Sequence, residues 1–194
     1  MKALIKASDL KKLILSTYKF SSTDNCKPVH CYIRLEFKKE FNLVTAIAVD
    51  GYKMPVEHSI CSQVDEDFTA YIKSDIPKFK KDSYAIIEVK EHVCFISING
   101  NISGYQQPDG EFLDWNKVLN DVVDKNPIYR IGFDGNALLA ALQSAKSSVG
   151  NSFRQPVILE FRSPVEPILL RTNRDDYKMV LPVHLKPEDK PNDL

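Results

Sequence analysis

The chain has 194 residues, 43% of them hydrophobic and 27% charged, and its 26 basic and 26 acidic side chains cancel. That composition is globular: no apolar run is long enough to span a bilayer, and any contact with nucleic acid must come from a local basic face and not from the chain as a whole. The length suits one compact domain and a smaller second unit. Residues Met1 to Ser8 lack an apolar h-region and a small-residue cleavage site, so no secretory signal is expected and the cytoplasm is the expected location. The four cysteines, Cys26, Cys31, Cys61 and Cys94, have no paired metal-ligand spacing. They read as buried thiols, and no metal or cofactor is expected.

In chain order, a strand over Lys2 to Ala7 leads into a helix that Ser8 or Asp9 can cap. Leu10, Leu13, Ile14, Thr17 and Tyr18 recur there at helical spacing and predict an inward face, while Lys11, Lys12 and Lys19 lie outside it. A polar loop, 21–28, precedes strands at Tyr32 to Phe37, Leu43 to Val49 and Met54 to Cys61. A further strand at Phe68 to Lys73 is followed by a short helical or irregular connection over 76–81. Strands at Ile86 to Val89, Val93 to Ile98 and Ile102 to Gln106 then form a meander, turning at Asn99-Gly100. The order is βαβββ twice, the second helix reduced.

A linker over 108–127 comes next. Beyond it a third βαβββ unit is predicted: a strand at Tyr129 to Phe133, a helix opened by Asp134 or Asn136 and carrying Leu138, Leu139, Leu142, Ala145 and Val149, and strands near Val157 to Phe161, Ile168 to Arg171 and Lys178 to Val183. The three units do not visibly repeat in sequence. The expected organisation is α+β: a domain over 1–107, the linker, a half-domain over 128–185 and a flexible tail over 186–194.

No catalytic constellation stands out, and an enzyme is not expected. His30, His58, His92 and His184 are scattered, and neither zinc-protease, nucleophile-elbow nor phosphate-loop motifs occur. Asp50 before Gly51 could be a catalytic carboxylate, but Asp-Gly is more often a tight turn. Asp175 and Asp176 are neighbours and would point to opposite faces of a strand, so they read as turn residues. More informative are apolar residues at turns and chain ends: Gly51-Tyr52-Lys53-Met54, the stretch Trp115 to Leu119, and Leu181-Pro182-Val183-His184-Leu185.

Three stretches resemble the bacterial DNA sliding clamp family, in the same order. VTAIAVDGYKM at 44–54 is similar to that family's strand ending in Thr-Asp-Gly, then His or Tyr, Arg or Lys, and Leu or Met; Val49 departs where threonine is usual. GEFLDWNKVL at 110–119 is similar to its linker, with Leu113 in place of proline. YKMVLPVHL at 177–185 is similar to its closing strand, with Leu181 and His184 in place of methionine and arginine.

The resemblance covers roughly 1–185 and implies a DNA-clamp-like fold of repeated βαβββ modules with helices on one side of antiparallel sheets. It implies a processivity factor for a DNA polymerase, from a ring-forming fold that encircles or contacts duplex DNA weakly and without reading sequence. Lys11, Lys12, Lys19, Lys78, Lys80, Lys81 and Lys146 would face the DNA. A groove for linear peptides of polymerase or repair proteins is also implied, made of Val49, Gly51, Tyr52, Lys53, Met54, Lys117, Val118, Val180, Leu181, Pro182, Val183 and His184. An odd half-domain leaves a sheet edge open, which predicts a homo-oligomer. The alternatives are a peptide-binding adaptor or competitor with the clamp fold that does not encircle DNA and, further off, a small-molecule enzyme on a β-rich scaffold.

Overall fold

The computed structural model describes residues 1–24, 27–80, 82–125, 127, 130–149, 156–172 and 177–185. The residues Cys26, Lys81, Tyr129, Asp175 and Asp176 and the tail 186–194, each assigned a place above, lie outside the described residues. The chain divides into two compact units, Met1–Asn120 and Asp121–Leu194.

Unit 1 opens with β1 (Lys2–Lys6), α1 (Ala7–Thr17), β2 (Ile33–Lys38), β3 (Leu43–Ile47) and β4 (Val56–Ile60). It continues with β5 (Gln63–Val64), β6 (Phe68–Ile72), β7 (Tyr84–Lys90), β8 (Val93–Ile98) and β9 (Asn101–Gln106), and α2 (Trp115–Val123) begins in it. The strands form two antiparallel sheets, ordered β5-β1-β7-β8-β9 and β4-β3-β2-β6. The two modules therefore exchange first strands: β1 joins the sheet of β7 to β9, and β6 joins that of β2 to β4.

Alternation explains the sheets. Ile33, Leu35 and Phe37 of β2, Ala85 and Ile87 of β7, and Cys94, Ile96 and Ile98 of β8 all point into one buried core. Each large aliphatic chain so buried contributes about 1.5–3 kcal/mol. Helix α1 buries Leu10, Leu13, Ile14 and Thr17, as its spacing predicts. The predicted cap is not made: α1 starts at Ala7, directly out of β1, and no side chain caps it. Ala7 donates its N–H to the Ser83 carbonyl at 2.9 Å, and Asp9 pairs with Lys12 at 3.2 Å. Tyr18 lies in a 3-10 turn after the helix and is partly exposed. Between β6 and β7 the connection is irregular, and Ile76 and Phe79 pack on the core where module 1 has its helix.

Unit 2 holds β10 (Gly132–Phe133), α3 (Gly135–Val149), β11 (Ile158–Glu160), β12 (Ile168–Arg171), β13 (Tyr177–Val180) and β14 (Pro182–Val183). Its sheets are β11-β12-β13 and β10-β14. The Asp134 carboxylate caps α3 by accepting the Ala137 N–H at 2.8 Å. The core is small: Ile168, Leu170 and Val180 with Phe133, Leu138, Ala141 and Val157. Leu139 and Leu142, predicted to face inward, are exposed.

Aligned by topology, the modules do share a sequence signal. β2 reads Ile33-Arg-Leu-Glu-Phe-Lys38, β7 reads Ala85-Ile-Ile-Glu-Val-Lys90, and the third module reads Val157-Ile-Leu-Glu-Phe-Arg162. Each has Leu or Ile, then Glu, then Phe or Val, then a cation. The pattern is short and its copies are unevenly spaced, so it emerges only once the strands are matched.

Candidate functional site

The turn after β3 is built by Asp50. Its Oδ1 accepts the backbone N–H groups of Tyr52 and Lys53, at 3.0 and 3.1 Å, and Gly51 between them takes a left-handed φ of +89°. Lys53 Nζ closes the turn from outside, 3.4 Å from Asp50 Oδ2 and donating to the Lys19 carbonyl at 2.6 Å. Desolvation pushes the Asp50 carboxyl up, but the Tyr52 N–H, the Lys53 ammonium and the Lys53 N–H together hold it below its ordinary value. Asp50 thus acts as a turn residue. Of the groove candidates here, Val49 is buried, Met54 is half-buried and Tyr52 is 80% exposed.

The segment read as a linker is pinned to unit 1. Gln107 bonds both backbone groups of Tyr71, its Oε1 accepting at 2.8 Å and its Nε2 donating at 2.9 Å. Phe112 sits among His30, Arg34 and Tyr71, with the Arg34 guanidinium 5.2 Å from its ring centre. Burial, with Lys27 second, lowers the His30 pKa. Trp115 is buried and donates its indole N–H to Glu36 Oε1 at 2.9 Å, while Glu36 also pairs with Arg34 Nε at 2.8 Å. Asp114 then caps α2 by accepting the Lys117 N–H at 3.1 Å. Lys117 and Val118 project outward from this first turn. Sequence reasoning missed Phe112, Glu36 and Arg34 as the seat of this segment; the only available signal was the aromatic pair flanking an Asp cap.

In unit 2, Val180 belongs to the core, whereas Leu181 is 67% exposed and Val183 and His184 are also exposed. Pro182 pairs with Phe133. The twelve candidate groove residues thus fall into a set on unit 1 and a set on unit 2, and in each set one valine is core and supports its neighbours from beneath.

The lysines also sort by place. Lys11 Nζ lies 5.7 Å from the Phe79 ring centre, and Lys78 and Lys80 flank Phe79 in sequence. All three lysines are exposed on unit 1. Lys12 is offset by Asp9, and Lys19 lies at the far end of α1, 5.9 Å from the Tyr18 ring centre. Lys146 is in the last turn of α3, on unit 2. Among the described residues no cluster of His, Cys, Asp or Glu is placed to hold a metal ion, and no helix is long and apolar enough to cross a membrane.

The exchanged strands and paired sheets are those of the DNA sliding-clamp fold, and solved structures of bacterial clamps match the chain along nearly all its length. The Bacillus subtilis DNA polymerase sliding clamp is similar at a TM-score of 0.76 and 16% identity, over 94% of this chain and 49% of that one. The DNA polymerase III beta chain of Streptococcus pneumoniae is similar at 0.74 and 14%, over 95% and 50%. A Helicobacter pylori beta clamp bound to a DNA ligase peptide is similar at 0.61 and 16%, over 93% and 51%. The chain spans about half the length of these structures. No protein-family model and no curated protein sequence matches it.

Proposed function

We propose that the chain is a non-catalytic, sliding-clamp-like processivity protein that works as an assembly of several copies. It contacts duplex DNA without reading sequence, and it holds linear peptides of polymerase or repair proteins. The observation that carries this reading is the clamp fold itself, shared with a Helicobacter pylori clamp solved with a DNA ligase peptide. Exposed Tyr52 on unit 1 and Leu181 on unit 2 are the apolar surfaces for the leucine or phenylalanine of such a peptide. Covering one large apolar side chain contributes on the order of 1.5–3 kcal/mol. Lys11, Lys78 and Lys80 supply the DNA contact, with Lys12, Lys19, Lys81 and Lys146 as lesser contributors; the contact is weak and salt-sensitive.

The test is anisotropy of a fluorescein-labelled peptide carrying a leucine and a phenylalanine, titrated with the wild type and with Met54→Asp and Leu181→Asp. Saturable binding lost in both folded variants supports the reading. A folded wild type that binds no peptide at any concentration sinks the peptide role.

One observation favours a second reading, an adaptor that binds peptides without encircling DNA: Lys146 is the lone cation of α3. Retention on closed circular DNA, lost when the circle is cut, decides for encirclement; equal retention on both forms decides for the adaptor.

A further inference from the structure

In unit 1 the two modules complete each other by exchanging first strands, and both exchanges have one register. On β2, Ile72 lies opposite Ile33 and Ala70 opposite Leu35. On β7, Ile5 lies opposite Ala85 and Ala3 opposite Ile87. The outer edge of β1 is meanwhile held by β5, with Ala3 opposite Val64. Unit 2 has the corresponding parts and lacks the exchange. β14 holds one edge of β10, with Phe133 opposite Pro182, just as β5 holds β1. The other edge of β10 and the outer edge of β11 carry no strand among the described residues. The side chains agree: Leu35 and Ile87 are fully buried, whereas Leu159, at the same place in the shared pattern, is 43% exposed.

We infer that unit 2 is half of a two-fold domain completed by unit 2 of a second copy of this chain, each copy laying β10 antiparallel along the other's β11. The occupant follows from self-complementarity. A module offers one strand and needs one strand, so an identical copy related by a two-fold axis satisfies both needs at once. The resulting sheet, β14-β10 followed by the second copy's β11-β12-β13, repeats the observed order β5-β1-β7-β8-β9.

Register and charge support the same partner. Matching the inward residues of α1, Leu10, Leu13 and Thr17, to Leu138, Ala141 and Ala145 of α3 makes Phe133, Ile131 and Arg130 the equivalents of Ile5, Ala3 and Lys2. Val157 then faces the second copy's Phe133, and Leu159 faces its Ile131. Glu160 faces its Arg130, which reproduces the observed pairing of Glu88 with Lys2. Opposite charges at directly paired positions favour this register. The inference rests on the self-association proposed above and names its interface; it is independent of peptide and DNA binding.

The test uses the full chain with Ile131→Cys and Leu159→Cys together. Directly paired residues have Cα atoms about 4.5–5.5 Å apart, within disulfide reach. Under mild oxidation this pair is expected to give a covalent dimer of twice the 22.1 kDa chain mass, absent from the wild type and from Ile131→Cys with Phe161→Cys, which is out of register. Light scattering should show the wild type dimerising with concentration, Glu160→Arg dissociating it, and Arg130→Glu added to Glu160→Arg restoring it. Glu160 also pairs within its own chain with Arg162 and Arg171, so the cysteine pair decides if the charge variants unfold. A folded chain that stays at 22.1 kDa at every concentration overturns both this interface and self-association. A dimer that does not cross-link in register overturns this interface and leaves self-association standing.

Discussion

Leu35 and Leu159 occupy the same position of one strand in two modules, so truncating each to alanine compares a covered site with an uncovered one. Leu35 is fully buried in the core of unit 1, and Leu35→Ala should cost about 2–5 kcal/mol. Leu159 keeps 43% of its surface exposed within a single copy, so roughly half the usual transfer contribution is at stake, on the order of 1 kcal/mol. Once a second copy lays Ile131 over it, the cost of Leu159→Ala should climb to about the Leu35 range. Urea unfolding followed by Trp115, the only tryptophan, reports on unit 1. Hydrogen exchange of peptides from 156–172 reports on unit 2, and both are measured below and above the concentration at which copies associate. A Leu159→Ala penalty that does not change with protein concentration would refute the reasoning, as would a Leu35→Ala penalty smaller than that of Leu159→Ala in dilute protein.

Three further outcomes are expected. Trp115→Phe and Glu36→Ala should be coupled in a double-mutant cycle by about 1–2 kcal/mol, because the indole N–H meets a nearly buried carboxylate at 2.9 Å; additive effects count against the pinned segment. Asp50 has a folded pKa below its ordinary 3.8, so its contribution is present above that value and is lost as pH falls through the lower folded one. Acid titration by NMR should therefore show the Tyr52 and Lys53 amides shifting only below about pH 3.8, and Asp50→Asn should abolish that step. Burial pushes the Cys61 and Cys94 thiols up to about 12, so an aromatic disulfide reagent at pH 8 should modify Cys31 well before either; rapid labelling of Cys94 in folded protein would contradict the placement of β8.

Much of the fold is legible in residue spacing because one buried face per element imposes a period. Leu10, Leu13, Ile14 and Thr17 identify the inward side of α1, and the alternation in β2 and β8 identifies theirs. What covers an element leaves no such trace. Leu138, Leu139 and Leu142 are equally apolar, yet only Leu138 packs inside unit 2, while Leu139 and Leu142 are exposed. The start of α1 at Ala7 was hidden because a strand running straight into a helix needs no side-chain cap, its first N–H being taken by the distant Ser83. β5 was missed, and β14 was merged with β13 into one strand over Lys178 to Val183, for a related reason: two residues cannot show a period, and each is a strand only because β1 or β10 lies beside it. For the site, the Asp50–Gly51 turn follows from local chemistry, whereas the Trp115–Glu36 contact joins residues far apart in sequence and was invisible.

The strand exchange in unit 1 also orders events in time. β1 spans Lys2–Lys6, and its partner β7 spans Tyr84–Lys90, so β1 must wait during synthesis for a segment made about 80 residues later. At roughly 5–20 residues per second that delay is on the order of 4–16 seconds. α1 can form on the nascent chain meanwhile, but it has only β2 to β4 to pack on until β6 and β7 arrive and both sheets close together. Folding of unit 1 should therefore be a single late step governed by long-range pairing, slow for its size, with the apolar faces of β1 and β2 exposed to chaperones until it occurs.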